Sequence, residues 1–245
     1  MMYSREKYAE LAGSLQLNFA CDAPARDLLA GLLKVGGFTP VEKLISGRTA
    51  YVFGCGPSLR KDIMRIKKKK LIANGVLIAA DGAARALLEN GMTPGICVTD
   101  LDGDIPSIIK AGRLGCITIV HAHGDNMPAL KEYVRMIPGV KLGTTQAAPK
   151  GHILNFGGFT DGDRAVYMAV HYNAAKIILF GMDFGRKVGE YSGKKGTALK
   201  LQKLAAGKRL LEELAANTKI PILNATGSKL KLRNIPSAGK NDGGP

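Results

Sequence analysis

Ile96-Cys-Val-Thr-Asp-Leu-Asp-Gly-Asp104 is the stretch that decides how the chain is read. Its apolar start, Ile96 to Val98, has the form of a buried parallel strand, and polar chemistry begins where the strand ends. Strand side chains alternate, so an extended course would turn Asp100, Asp102 and Asp104 to one side, successive Cα atoms lying about 6–7 Å apart. Like charges that close repel and need a cation to stay ionised together. A hard divalent ion such as Mg²⁺, which takes one or two carboxylates plus substrate phosphates, meets that need, and Asp100 and Asp102 are its candidate ligands. Asp104, after Gly103, is read instead as the N-cap of a following helix.

Outward from this strand the same unit repeats. Ala50–Phe53, Val76–Ala79, Cys116–Val120 and Lys176–Phe180 are short apolar runs, each followed by a glycine-rich or acidic turn and then a helical pattern. Weaker strands are expected near 140–142, 152–156 and 221–223, and a long amphipathic helix over 199–217. Strands alternating with helices predict an α/β fold, a mostly parallel doubly wound sheet with flanking helices. Helices are also predicted over 3–18 and 23–34. The chain therefore divides into an N-terminal helical segment (1–45, a lid or interface), an α/β catalytic domain (46–236) and a disordered tail (237–245).

The polar residues fall in one place. Asp81, Asp100, Asp102, the loop His121-Ala-His-Gly-Asp-Asn126 and Asp183 each follow the C-terminal end of a strand, the edge where open α/β sheets bind ligands. Gly54-Cys-Gly-Pro-Ser58 stands between strand and helix, where Gly54, Gly56 and Ser58 suit a phosphate cradle. It is neither G-x-G-x-x-G nor a P-loop, because Leu59 fills the third glycine position and no G-K-[ST] follows. His123, Gly124 and Asn126 are expected to meet phosphate oxygens; zinc at His121 and His123 is disfavoured without cysteine or a third histidine nearby. Thr160, Asp161 and Arg164 combine hydroxyl, carboxylate and guanidinium before a helix and are read as nucleotide contacts. Residues 185–197 look like a mobile flap whose Lys194 and Lys195 suit a triphosphate.

Composition narrows the class. The 245 residues carry a net charge of +15, but the segments 60–70 and 200–233 hold 12 of those excess charges, with no interleaved aromatic residue. A base-stacking surface is thereby disfavoured, nucleic acid is not an expected partner, and the lysines of 67–70 read as a solvated helix face. No apolar run reaches membrane-spanning length and the N-terminus lacks a secretory form, so a cytoplasmic protein without a membrane partner is expected. Cys97 and Cys116 lie in apolar runs as core residues. A homo-oligomer is compatible with all of this.

Ile78-Ala-Ala-Asp-Gly-Ala-Ala, Asn90-Gly-x-x-Pro94 and Thr99-Asp-Leu-Asp-Gly103 are similar in order and kind to the motifs of the thiamin pyrophosphokinases. Together with Gly54–Leu59, His121–Asn126, Gly158-Phe-Thr-Asp-Gly-Asp-Arg164 and Gly181-Met-Asp-Phe-Gly185, they resemble the archaeal 6-hydroxymethylpterin diphosphokinases, the MptE-like group, over residues 48–228. That resemblance implies transfer of diphosphate from ATP to a reduced pterin, 6-hydroxymethyl-7,8-dihydropterin, with Mg²⁺ and release of AMP, in tetrahydromethanopterin or folate-type cofactor synthesis. It makes Asp81, Asp100 and Asp102 the acidic catalytic cluster, with Asp81 the candidate acceptor of the hydroxyl proton. Gly103 stands where thiamin enzymes have serine, and they lack the His-x-His-Gly-Asp-Asn loop, which argues against thiamin as the acceptor. Three other readings compete: a nucleotide-sugar glycosyltransferase with a similar Gly-Pro-Ser-Leu turn, a haloacid-dehalogenase-type phosphatase with Asp100 as nucleophile, and a nucleic-acid binder favoured by charge alone.

Overall fold

A computed structural model of the chain describes residues 20–69, 72, 75–185, 187–193, 197–228, 230–242 and 244; the helix expected over 3–18 lies outside them. Eight strands form one sheet: β1 Thr49–Phe53, β2 Gly75–Ala80, β3 Ile96–Thr99, β4 Ile117–Ala122, β5 Lys141–Thr145, β6 Ile153–Leu154, β7 Lys176–Phe180 and β8 Ile222–Asn224. Their order is β6-β5-β4-β3-β2-β1-β7-β8, and every pairing is parallel. The helices are α1 Asp22–Leu32, α2 Thr39–Ile45, α3 Leu59–Lys69, α4 Ala83–Glu89, α5 Ile105–Arg113, α6 Met127–Tyr133, α7 Asp161–His171 and α8 Thr197–Asn217.

The strands read as continuous apolar runs because both faces of the sheet are covered. Alternate residues serve opposite sides. Ala50, Val52, Ile78, Ile96, Val98, Ile119, Ile177 and Leu179 pack with α2, α7 and α8, whereas Tyr51, Phe53, Cys97, Val120, Ile178 and Phe180 pack with α1, α3, α4, α5 and α6. Helix starts follow local chemistry. Asp104 caps α5 by accepting from Ser107 N, as expected, and Pro106 occupies its first turn. Lys67–Lys69 are exposed in the last turn of α3, where cations suit the helix dipole.

The two ends of the chain belong to the same core. α1 places Ala25 and Leu29, and α2 places Val41 and Ile45, at 0% exposure, so residues 22–45 are a built-in part of the α/β unit. The tail expected to be disordered from 237 is held as far as it is described: Ser237 bridges Asn224, Ala238 is buried with its N–H on Asn224 O at 2.8 Å, and Asp242 pairs with Lys176. Extending β8 with backbone partners offsets the polar composition that suggested disorder. No helix among the described residues is long and apolar enough to cross a membrane.

Strand order reverses between β1 and β7, and there one carboxylate ties three turns together. Asp62, at 0% exposure on the first turn of α3, accepts from Gly181 N (3.0 Å) after β7, from Gly227 N (3.0 Å) after β8, and faces the Ser58 hydroxyl (2.9 Å) after β1. Arg65 balances its charge at 2.9 Å. Asp62→Asn should lower unfolding free energy by about 3 kcal/mol, since it breaks a buried ion pair and turns an amide donor toward backbone N–H groups. Urea denaturation measures this, and a loss below about 0.5 kcal/mol would mean that Asp62 does not hold the switch point.

Candidate active site

The carboxylates come from three chain turns. Asp81 follows β2 in a left-handed conformation (φ 45°), which aspartate tolerates better than most residues, with its N–H on Val98 O at 2.7 Å. Thr99 Oγ1 donates to Asp81 Oδ1 (2.8 Å) and accepts from Leu101 N (2.9 Å). Asp100 follows β3, but the chain does not continue extended: Leu101 takes φ 65°, a strained value for leucine of the kind found at functional turns. The expected one-sided row of Asp100, Asp102 and Asp104 is therefore broken. Asp102 lines the same cavity, its N–H on Asp100 Oδ1 at 3.2 Å, while Asp104 turns away to cap α5.

The third carboxylate to approach is Asp161, the first residue of α7. Asp81, Asp100 and Asp161 each present an oxygen within 4.8 Å of the others, the one such group of potential metal ligands among the described residues. Burial pushes the Asp81 carboxyl up to about 7, helped by repulsion from Asp100 and Asp102. Burial likewise drives Asp161 well above the usual carboxylate range, with Asp100 and Asp81 adding to it and Arg164 opposing. Such a cluster has the chemistry of a hard-cation site: three oxygen donors whose ionised forms are unfavourable together without added positive charge. Gly103 is required beside it, because a β-carbon there would overlap the Asp81 carboxylate.

Residues after β4 hold this cluster. Asp125 N donates to His123 Nδ1 (3.3 Å), which leaves the proton on His123 Nε2, 3.3 Å from Asp100 Oδ2. Asn126, expected to meet phosphate, spends its amide inside the protein: Nδ2 donates to Asp100 O (2.8 Å) and His121 O (2.7 Å), and Oδ1 accepts from His123 N (3.0 Å). It is a clamp between the ends of β3 and β4. The Gly124 N–H is likewise taken, by Asp22 Oδ1 at 2.8 Å. His121 bonds Thr144 through Nδ1 (3.2 Å), so the two histidines have separate partners.

The turn after β1 also differs from a phosphate cradle. Gly54 N donates to Phe180 O (2.9 Å), Gly56 N to Gly181 O (2.8 Å), and Ser58 N to Asp183 Oδ2 (3.1 Å). The Asp183 carboxylate thus occupies the place of an anion at the α3 N-terminus, and a β-carbon on Gly56 would overlap it. The glycines serve close packing of the β1 and β7 turns, although Gly54 and Gly56 still line the cavity.

Positive charge comes from elsewhere. Arg164, 2% exposed, donates to Gly157 O (3.2 Å) and lines the cavity with Thr160 and Asp161. Thr160 N donates to Asp163 Oδ1 (2.7 Å), so Asp163 completes the helix cap and Asp161 is left to face the cavity. Lys194 and Lys195 lie outside the described residues. Lys187, Lys200 and Lys203 line the cavity instead, the last two one turn apart on α8. The segment before α8 lies over the site, with Tyr191 Oη on Glu89 (2.8 Å) and its ring against Arg85. Lys200, Lys203, Asp22 and Gln146 were missed in the sequence. An i, i+3 lysine pair was visible, but nothing local says which helix face overlies the sheet edge.

A family model described as 6-hydroxymethylpterin diphosphokinase MptE-like matches residues 28–189. The Methanothermobacter thermautotrophicus protein named 6-hydroxymethyl-7,8-dihydropterin pyrophosphokinase is 40% identical over 223 residues, which cover 88% of this chain and 95% of that one. The protein of that name from Methanocaldococcus jannaschii is 37% identical, with 82% and 90% covered, and that from Pyrococcus furiosus 43% identical, with 71% and 74% covered. Among solved structures, a Maf glycosyltransferase from Magnetospirillum magneticum matches with a TM-score of 0.53 at 16% identity, over 85% of this chain and 39% of that one, a likeness of fold alone. On the extent of the family match and of these relatives, the chain belongs to the 6-hydroxymethylpterin diphosphokinase MptE-like family.

Proposed function

We propose that the protein is a diphosphotransferase that moves a diphosphate group from ATP to the hydroxyl of 6-hydroxymethyl-7,8-dihydropterin and releases AMP, with Mg²⁺, for tetrahydromethanopterin or folate-type cofactor synthesis. The observation that carries the reading is the convergence of Asp81, Asp100 and Asp161 within 4.8 Å, in a cavity also lined by three lysines and Arg164. Relatives at 37–43% identity bear the corresponding name.

In the reaction the acceptor oxygen bonds to the β-phosphorus, the bond from that phosphorus to the α–β bridging oxygen breaks, and AMP leaves with that oxygen. Such transfers depend chiefly on positioning and charge neutralisation. Mg²⁺ held by Asp81, Asp100 and Asp161 would supply positive charge to the phosphate oxygens. His123 orients Asp100 through Nε2, and Thr99 orients Asp81. Lys187, Lys200, Lys203 and Arg164 offset phosphate charge in a partly water-excluded site. The carboxyl near 7 belongs to Asp81 without an ion; Mg²⁺ bound to it would lower that value, so the ion and the hydroxyl proton compete for this group.

Product analysis tests the reading directly. Incubation with ATP, Mg²⁺ and the reduced pterin should give AMP and the pterin diphosphate in equal amounts; ADP or free phosphate as the sole phosphorus product would refute it.

Asp100→Asn and Asp161→Asn should each reduce turnover by about 10²-fold or more, on the order of 3 kcal/mol of transition-state stabilisation, and weaken Mg²⁺ dependence. Asp102→Asn should cost less than Asp161→Asn. The reverse ranking in kcat would return the ion to Asp100 and Asp102.

Stability without divalent ions should depend on pH. A carboxyl raised from 3.8 to about 7 on folding binds a proton that the unfolded chain has released. Its stabilising effect is therefore full below about pH 4 and is lost as pH rises through 7. The Tm should fall over that interval, Mg²⁺ should restore it near pH 7.5, and Asp81→Asn should flatten the slope. A wild-type Tm that rises across the interval in the absence of divalent ions would contradict the carboxylate cluster.

A further inference from the structure

The cavity has two chemically different ends. Along the sheet edge the carboxylates of β2 and β3 stand in the middle. The basic lining comes from α8 and the segment before it, with Lys187, Lys200 and Lys203; Lys200 Nζ donates to Gly193 O at 2.8 Å, beside the turn that carries Asp102. Beyond β4 and β5 the lining includes Asp22, His121 and Gln146, with the Arg164 guanidinium close enough to His121 to act on its charge.

His121 is 2% exposed, and its ring is fixed by Thr144. The Thr144 hydroxyl points to Val120 O at 3.4 Å, so its proton is used there and His121 Nδ1 is the donor to Thr144 Oγ1. His121 Nε2 is left as a lone-pair acceptor. It is buried without a well-formed hydrogen bond, and the Gln146 side chain is the polar group that faces the ring. A buried polar atom with only a loosely placed partner is poorly satisfied, and in a cavity wall it is a place for a ligand N–H.

Asp22 presents the same character. It is 4% exposed, with one oxygen accepting from Gly124 N (2.8 Å) and the other from Gln146 Nε2 (2.9 Å). Each oxygen keeps a second lone pair. The Gln146 amide, oriented by that bond, is fixed next to His121. Asp22 therefore offers acceptor lone pairs that suit a ligand edge rich in N–H groups. The 2-amino group and adjacent ring N–H of a pterin form such an edge, which pairs with carboxylates as a guanidinium does.

We propose that the β4–β5 end, with Asp22, His121 and Gln146, is the subsite for the aminopyrimidine edge of the acceptor, and that the lysines of α8 and of the segment before it take the nucleotide phosphates. The inference rests on the diphosphate-transfer reading above. A 6-substituent projects from the pterin on the side away from the 2-amino group, so a ring seated here directs its hydroxymethyl arm back along the sheet edge, toward Asp100 and Asp81. Asp22, His121 and Gln146 are then specificity-determining residues, separate from the groups that meet phosphate.

The test is fluorescence titration of the full chain, without ATP, using 6-hydroxymethylpterin and its 2-oxo analogue 6-hydroxymethyllumazine, with ATP binding measured separately. Wild-type protein should prefer the pterin by about 100-fold, because the analogue turns an acceptor toward Asp22. Asp22→Asn and Gln146→Leu should each weaken pterin binding by about 30-fold or more, narrow the preference for the amino compound, and change ATP affinity by less than about 3-fold. Wild-type protein that binds both compounds equally overturns the subsite, and this arm stands even where a variant fails to fold. Variants that lose ATP affinity and keep pterin affinity overturn it too, by reversing the two ends. Failure of wild-type protein to bind either compound or to form pterin diphosphate overturns the functional reading itself, and the subsite with it.

Discussion

At the point where strand order reverses, the turns after β1, β7 and β8 meet around the carboxylate of Asp62. Its oxygens accept from the N–H groups of Gly181 and Gly227 and face the Ser58 hydroxyl, while Arg65 supplies the countercharge. Parallel strands end with unpaired backbone donors, and buried donors must be satisfied somewhere. Asp62 does this for two loops at once and so fixes their separation. A second carboxylate, Asp183, repeats the arrangement one layer nearer the cavity by accepting from Ser58 N. The rim of the site is thus braced by carboxylates that belong to the fold.

The carboxylates of the site itself have the opposite energetics. Asp81, Asp100 and Asp161 gain little from their positions in isolation: burial and mutual repulsion raise the first and third, and the turn that delivers Asp100 places Leu101 in a left-handed conformation. The surrounding hydrogen bonds from Thr99, His123 and Asn126 hold the turns in place against this. Local strain maintained by an over-determined surrounding is what distinguishes a binding edge from a packing edge of the same sheet.

The fold likeness to a glycosyltransferase domain underlines how little the architecture says about the reaction. A parallel sheet with its switch point at β1 and β7 provides an edge; the chemistry lies in which side chains the turns deliver there. Here they bring carboxylates to the ends of β2 and β3 and acceptors to the ends of β4 and β5, with lysines of α8 among the residues that line the same cavity.

The sequence by itself determined the sheet class. Apolar runs of strand length separated by helical patterns admit little else, and the local period of a strand is visible in the residues that form it. It also determined that polar residues gather at strand ends, because each of those residues directly follows its own strand. Tertiary structure alone decided which of them meet. Asp161 reaches Asp81 and Asp100 from a helix some sixty residues further along the chain, and Asp22 reaches Gly124 and Gln146 from the other direction. Asp102 looked equivalent to Asp100 only while the strand was taken to continue, and one left-handed residue, Leu101, ended that equivalence. Gly56, Ser58, Gly124 and Asn126 had the composition of a phosphate loop, yet their N–H and amide groups are used by neighbouring turns. Residue type sets what a group can bond; which partner it finds depends on contacts distant in sequence, and those exist only once the chain has folded.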